Sequence, residues 1–170
     1  SSGFVLFDGD DLRELRLELV RADAVCVRES EVFPGSIRDN VGVGRPDVGP
    51  ARVHDALARV GLLDELRALP DGLDTALAAS GAPLGQSQVV RLAMARAIAG
   101  RARWIAVDGL VGDLDDETRK LVLDVLFDSE APWTLLFVSD RPDVLARCDR
   151  MLELARDGRL VSAAAAGDRR

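Results

Sequence analysis

The chain has 170 residues, of which 48% are hydrophobic and 30% charged, and its formal net charge is -7. At roughly 150 residues per domain this length predicts one domain, and the apolar share excludes a disordered segment. The acidic balance argues against nucleic-acid binding, because phosphate contacts need a basic face. Cys26 and Cys148 are too few for a disulfide framework, and no apolar run approaches the roughly 20 residues of a membrane span.

The first half of the chain alternates apolar runs with turn signals. An Asp8-Gly9 turn follows the first apolar run. Ser36 stands three residues before Asp39, an approximate capping box for a short helix. Pro50 suits the first turn of a longer helix. The predicted strands are 4–7 and 24–27, and the predicted helices are 12–20, a short one from 36, 50–60 and 62–69.

The second half contains two continuous apolar runs, one ending at Asp108 and the other, Trp133–Val138, running into Asp140. Continuous runs are typical of parallel strands buried on both faces. With a helix predicted from Asp113 to Phe127 between them, they indicate a right-handed strand–helix–strand unit. A strong helix is predicted at 86–99 and a last strand at 151–154, followed by a flexible tail at 163–170.

Polar residues follow the predicted strands at Arg28, Asp108 and Asp140. Ligands of open parallel sheets bind beyond the carboxyl ends of the strands. Asp108 is therefore either a magnesium ligand or a polar residue that ends its strand and caps the next turn. For Arg28 a surface role is favoured, paired with nearby Glu29 and Glu31.

Several segments resemble motifs of one family, in that family's order. They are Gly3–Gly9 (G-x-I-x-x-D-G), Val32–Val41 (L-F-x-G-T-I-R-E-N-I), Leu69–Thr75 (L-P-x-G-L-D-T), Arg91–Ala97 (R-L-A-I-A-R-A) and Asp157–Arg159 (D-G-R). The chain thus resembles the nucleotide-binding domain of an ATP-binding-cassette (ABC) transporter of the exporter type. This resemblance implies an α/β, P-loop NTPase-like parallel sheet, incomplete at its N-terminal side, with a helical subdomain at about 42–98. It implies that residues 1–170 are the C-terminal part of a longer cassette, which would leave sheet edges and apolar faces exposed.

The departures from the family pattern fall on its functional positions. No Walker A loop, G-x-x-x-x-G-K-[ST], occurs in the 170 residues. Gly109 replaces the family's catalytic glutamate, Asp140 replaces its switch histidine, and Arg28 stands at the Q-loop glutamine. By resemblance, Asp108 is the magnesium ligand. The residues expected at the nucleotide are Arg28, Leu84, Gly85, Gln86, Ser87, Gln88, Asp115 and Asp140. The run 84–88 is an altered signature motif, and its residues Gly85–Gln88 are either a contact for the phosphate of ATP held by a partner domain or a plain helix start.

The resemblance implies a domain that couples ATP binding and hydrolysis to transmembrane transport. It would lie on the cytoplasmic face of the cell membrane, with a second nucleotide-binding domain, in a homo- or heterodimer, and transmembrane domains as partners. ATP and Mg²⁺ are the implied cofactors. Their binding is expected to be weak or absent in the isolated chain, which we predict to be inactive as an ATPase. The alternatives are a non-catalytic pseudo-cassette that serves as a structural or regulatory interaction module, and an α/β domain with no nucleotide role.

Overall fold

The computed structural model describes residues 4–28, 32–43, 45–109, 111–112 and 114–165. The chain forms two compact units, one up to Phe137 and one from Val138. The helices are α1 (Leu17–Asp23), α2 (Ile37–Gly42), α3 (Pro50–Arg59), α4 (Leu63–Arg67), α5 (Gln86–Ala99), α6 (Asp116–Leu126) and α7 (Pro142–Leu145). The strands are β1 (Leu6–Phe7), β2 (Asp10–Asp11), β3 (Ala24–Val27), β4 (Gly35–Ser36), β5 (Ala76–Leu77), β6 (Trp104–Asp108), β7 (Thr134–Val138), β8 (Arg150–Leu154) and β9 (Leu160–Ala165).

The largest sheet of the described residues has the order β3-β6-β7. β3 and β6 are parallel, with Ala24 opposite Trp104 and Val27 opposite Val107. The strands predicted at 24–27 and ending at Asp108 are confirmed, and β7 begins at Thr134, one residue later than predicted. The chain is therefore a mixed α/β protein with parallel strand pairing. β6 and β7 are neighbours in the sheet, and α6 lies between them in the sequence.

One face of this sheet is buried and the other is open. Val27, Ile105 and Val107 are buried, whereas Trp104 is 39% exposed and Leu136 54% exposed. The prediction that these strands are buried on both faces is therefore wrong. Side chains alternate between the two faces of a strand, and in the structure only one set of alternate positions is covered. Exposed apolar faces were predicted and are confirmed.

The core forms around α5, which packs against α2, α3 and β3. Ten of its residues are buried, so it is apolar nearly all round, as expected for a helix covered on several sides. The predicted capping box at Ser36 and Asp39 is confirmed, because the Asp39 backbone N–H donates to Ser36 Oγ at 3.0 Å and the Ser36 N–H donates to Asp39 Oδ2 at 3.1 Å. α3 begins at Pro50 as predicted.

α1 begins at Leu17, later than the predicted helix at 12–20. Asp11 belongs to β2, and its carboxylate accepts a hydrogen bond from the Arg13 backbone N–H at 2.9 Å. This side-chain turn competes with helix formation, so the chain stays in turns up to the start of α1. The β1–β2 hairpin confirms the Asp8-Gly9 turn, whose φ angles of 53° and 96° are those of a tight hairpin turn.

The second unit contains α7 and the antiparallel hairpin of β8 and β9. The tail predicted to be flexible from residue 163 is corrected here. Ala163 pairs with Leu152 and Ala165 with Arg150, because the Asp157-Gly158 turn returns the chain alongside β8. Residues 166–170 lie outside the described residues. Among the helices of the described ranges, none combines the length and apolar character needed to cross a bilayer.

Candidate functional site

Two predicted site residues meet at the carboxyl end of the sheet. Val27 lies opposite Val107 in the parallel register of β3 and β6. Arg28 directly follows β3, and Asp108 is the last residue of β6. Arg28 Nε lies 3.9 Å from Asp108 Oδ2, with side chains 67% and 51% exposed. The chain thus places Arg28 against Asp108. The predicted partners Glu29 and Glu31 lie outside the described residues.

The carboxyl end of β6 does not fit a magnesium ion. Mg²⁺ takes oxygen ligands in a near-octahedral arrangement, whereas Asp108 faces a guanidinium, a permanent cation with no acceptor. The following residue, Gly109, has no side chain and a φ of 75°. Within the described ranges, no group of three or more His, Cys, Asp or Glu residues is placed to hold a metal ion. The structure therefore gives no support to Asp108 as a metal ligand.

The altered signature motif forms the start of α5. Leu84 is buried and contributes packing. Gly85 is the N-cap, and its backbone N–H donates to Gln88 Oε1 at 2.9 Å. Gln86 is exposed, while Ser87 and Gln88 are half-buried. The residues of this run that reach solvent are therefore those at the helix start.

A charged network holds this helix start, and the sequence did not single it out. Arg91 is 8% exposed. Its guanidinium donates to both carboxylate oxygens of Glu65, at 2.7 and 3.0 Å, and to the Gly61 carbonyl at 2.8 Å. Gln88 Nε2 also donates to Glu65, at 2.9 Å. The Arg91 hydrogen bonds lower the pKa of Glu65 below its ordinary value. An arginine inside an apolar helix was the available signal, because a buried cation needs a counter-charge.

The other end of α5 is held by two arginines from the region before and within α3. Arg45 Nη1 donates to the Gly100 carbonyl at 2.5 Å and its Nη2 donates to the Ala22 carbonyl at 2.7 Å. Arg52 Nη2 donates to the Ala99 carbonyl at 2.5 Å. Cations at a helix C-terminus satisfy carbonyls that lack a helical partner and complement the helix dipole.

Asn40 is a second buried polar residue that the sequence did not flag. Its Oδ1 accepts from the Phe33 backbone N–H and its Nδ2 donates to the Phe33 carbonyl, both at 2.8 Å. Arg96 Nε donates to the Asn40 carbonyl at 2.7 Å, and its guanidinium lies 4.9 Å from the centre of the Phe33 ring. These contacts fix the turn before α2 against α5.

The remaining predicted residues are Asp115 and Asp140. Asp115 is the N-cap of α6, and its carboxylate accepts from the Thr118 backbone N–H at 2.9 Å. That hydrogen bond lowers the pKa of Asp115. Asp140 is exposed and belongs to the second unit. The structure thus brings together Arg28 with Asp108, and residues 84–88 with one another.

Comparison with known proteins gives relatives of one kind, although no protein-family model matches the chain. ABC transporter B family member 1 of Arabidopsis thaliana is 32% identical over 88% of this chain. The multidrug efflux ATP-binding/permease protein of Mycobacterium bovis is 32% identical over 95% of it. The mycobactin import ATP-binding/permease protein IrtB of Mycolicibacterium thermoresistibile is 34% identical over 99% of it.

Among solved structures, a bacterial Atm1-family ABC exporter with ATP bound matches 98% of this chain with a TM-score of 0.88 and 26% sequence identity. The chain spans only a fraction of these proteins. It covers 12% of the Arabidopsis relative, 14% of the M. bovis relative, 30% of IrtB and 29% of the solved chain. The resemblance to ABC exporters predicted from the motifs is confirmed.

Proposed function

We infer that the chain is part of the ATP-binding cassette of an ABC-type exporter, with a P-loop NTPase-like fold and an altered nucleotide site. One observation carries the proposal: the backbone follows an Atm1-family ABC exporter over 98% of this chain with a TM-score of 0.88. The family motifs also occur in the family's order along the sequence. The cassette would couple ATP binding to transport, with a second nucleotide-binding domain and transmembrane domains as partners at the cytoplasmic face of the membrane.

The start of α5 is the part of the site with chemistry suited to a nucleotide. Helix N-termini carry backbone N–H groups without helical partners and attract anions. Gln86 and Ser87 reach solvent there, and the network of Glu65 and Arg91 holds the first turn in place. We therefore assign to this turn a contact with the terminal phosphate of ATP held by a partner cassette.

Two positions weaken hydrolysis in this chain. Gly109 has no carboxylate to orient water, and loss of a general base typically lowers turnover by about 10²–10⁴-fold. Asp140 places a negative charge where a donor to phosphate is expected in the family. Export is the direction of transport that we propose. The names of the relatives include both efflux and import.

A chimera tests the proposal. The chain replaces the aligned segment of an Atm1-family ABC exporter, and the purified transporter is assayed for binding of a fluorescent ATP analogue and for phosphate release. We expect ATP binding, with turnover at least about 100-fold below the parent. Adding Arg28→Gln, Gly109→Glu and Asp140→His should raise turnover. A folded chimera that reaches the membrane and binds no ATP would contradict the proposal.

A second candidate function is favoured by the Arg28–Asp108 contact. A carboxylate already matched by a cation on its own sheet suits a non-catalytic pseudo-cassette that acts as a structural or regulatory module. The test is a heterodimer of the chimera with an unmodified parent cassette. ATP binding by the chimera, with phosphate release only from the unmodified cassette and no gain from the three reversions, would favour this candidate.

A further inference from the structure

We propose that Arg28 is a built-in counter-cation for Asp108 that weakens the binding of divalent cations at the carboxyl end of β3 and β6. This inference rests on the proposed function only in taking that end of the sheet as the nucleotide side. Its physical basis is the contact between Arg28 and Asp108.

The pairing follows from strand register. In β3 and β6, residues from Ala24 opposite Trp104 to Val27 opposite Val107 are matched one to one. Neighbouring strands lie about 4.8 Å apart, and residues of equal register point to the same face. Arg28 directly follows the last residue of β3, and Asp108 is the last residue of β6. Both side chains are exposed.

The charges decide what this site binds. Arg28 Nε lies 3.9 Å from Asp108 Oδ2, so the carboxylate has a guanidinium charge beside it. A divalent ion on the same carboxylate would meet that charge at about 4 Å. The repulsion weakens its binding by about tenfold after partial screening by salt. Gly109, with a φ of 75° and open space around its Cα, supplies no second carboxylate to offset this loss.

Paramagnetic line broadening by Mn²⁺ measures the effect directly. The 170-residue chain is labelled with ¹⁵N-glycine, and the Gly109 amide resonance, adjacent to Asp108, is followed during titration with MnCl₂. In Arg28→Gln, half-broadening of this resonance is expected at about tenfold lower Mn²⁺ than in the wild-type chain. Adding Asp108→Asn to Arg28→Gln should abolish this gain, so that half-broadening needs at least as much Mn²⁺ as in the wild-type chain.

Arg38→Gln is the matched control. Arg38 Nε lies 3.2 Å from Asp74 Oδ1, so this variant also frees one surface carboxylate, at another place. It should leave Gly109 broadening unchanged. Both members of the tested pair are more than half exposed, so the ¹⁵N spectra of the variants should keep the native pattern.

Two results would overturn the inference. One is equal Mn²⁺ sensitivity of Gly109 in the wild-type chain and Arg28→Gln. The other is enhanced broadening that survives Asp108→Asn, which would place the ion elsewhere. Neither result bears on ATP binding by the chimera, and a chimera that fails to bind ATP leaves the Mn²⁺ comparison intact.

Discussion

Glu65 and Arg91 illustrate how a single charge fixes its surroundings. Arg91 is buried within α5, and its cost in lost hydration is offset by the bidentate contact with Glu65 and by the Gly61 carbonyl. The Glu65 side chain is itself 43% exposed, so solvent screens part of the attraction. The pair therefore contributes moderately to stability and strongly to the placement of the first turn of α5.

The first prediction concerns pH. Arg91 lowers the pKa of Glu65 below its ordinary value of 4.5, so the pair stabilises the fold above that pH and loses its effect as pH falls through the lowered value. Glu65→Gln should lower the free energy of unfolding by about 1 kcal/mol at pH 7, with screening included. The difference from wild type should shrink below pH 4.5, measured by urea unfolding at several pH values.

Asp64→Asn is the control for this experiment, since Asp64 is the adjacent carboxylate and is 97% exposed. It should change stability by less than about 0.5 kcal/mol at every pH. A difference for Glu65→Gln that stays constant down to acid pH would show that the Arg91 contact is not the cause.

The second prediction concerns Gly109. Its φ of 75° is a left-handed conformation that costs other residues about 1–2 kcal/mol, although a Cβ there would touch nothing within 4 Å. Gly109→Ala should therefore lower the free energy of unfolding by about that amount, from backbone strain alone. In Gly112→Ala the new Cβ meets only a carbonyl oxygen at 3.8 Å, an ordinary contact, so thermal unfolding of that variant should stay near wild type. Equal losses in both variants would argue against strain.

At the scale of elements, the sequence predicted helix starts and helix lengths that depend on residues close to one another in the chain. The capping box at Ser36, the start of α3 at Pro50 and the full length of α5 follow from residues close in sequence. The Arg28–Asp108 pair could not be predicted this way, because it depends on the register of strands far apart in the chain. The alanines of β9 likewise carry little strand propensity, and only their pairing with β8 makes them a strand.

The third prediction concerns the end of α5. Arg45 donates to the carbonyls of Gly100 and Ala22, so Arg45→Met leaves carbonyls without their charged donor while it keeps much of the apolar stem. The expected loss in the free energy of unfolding is about 2 kcal/mol, from chemical denaturation. Arg38→Met removes only the exposed ion pair with Asp74, at 3.2 Å, and should lose less than about 0.5 kcal/mol. Similar losses for the two variants would remove any special role for Arg45.

At the scale of the whole molecule, the fold class and the family resemblance were predictable because several motifs occur in one order. The burial of the strand side chains was not predictable, because a continuous apolar run has the same sequence pattern whether one or both faces of its strand are covered. Trp104 and Leu136 show the difference, being exposed in strands whose sequences indicate full burial. Whether a sheet face is covered depends on which other elements pack on it, and the sequence of the strand alone does not determine this.

The fourth prediction concerns activity. The 170-residue chain by itself should release no phosphate from ATP above background, because its sequence contains no Walker A loop and Gly109 lacks a carboxylate. A coupled phosphate assay with ATP and magnesium checks this, with the parent exporter of the chimera as positive control. Magnesium-dependent release that disappears in Asp108→Ala would contradict the prediction.

Side chains from other elements form hydrogen bonds with α5 near both of its ends, and this limits how the helix can move. It has 14 residues and, at 1.5 Å per residue, is a rod about 21 Å long. Glu65 binds Arg91 in the first half of the helix. Arg45 and Arg52 donate to carbonyls at its carboxyl end. A tilt of five degrees about one tip displaces the opposite tip by about 2 Å. Because Arg45 and Arg52 bind the carbonyls at the carboxyl end of α5, a tilt about its first turn would have to carry the start of α3 with it or break these hydrogen bonds.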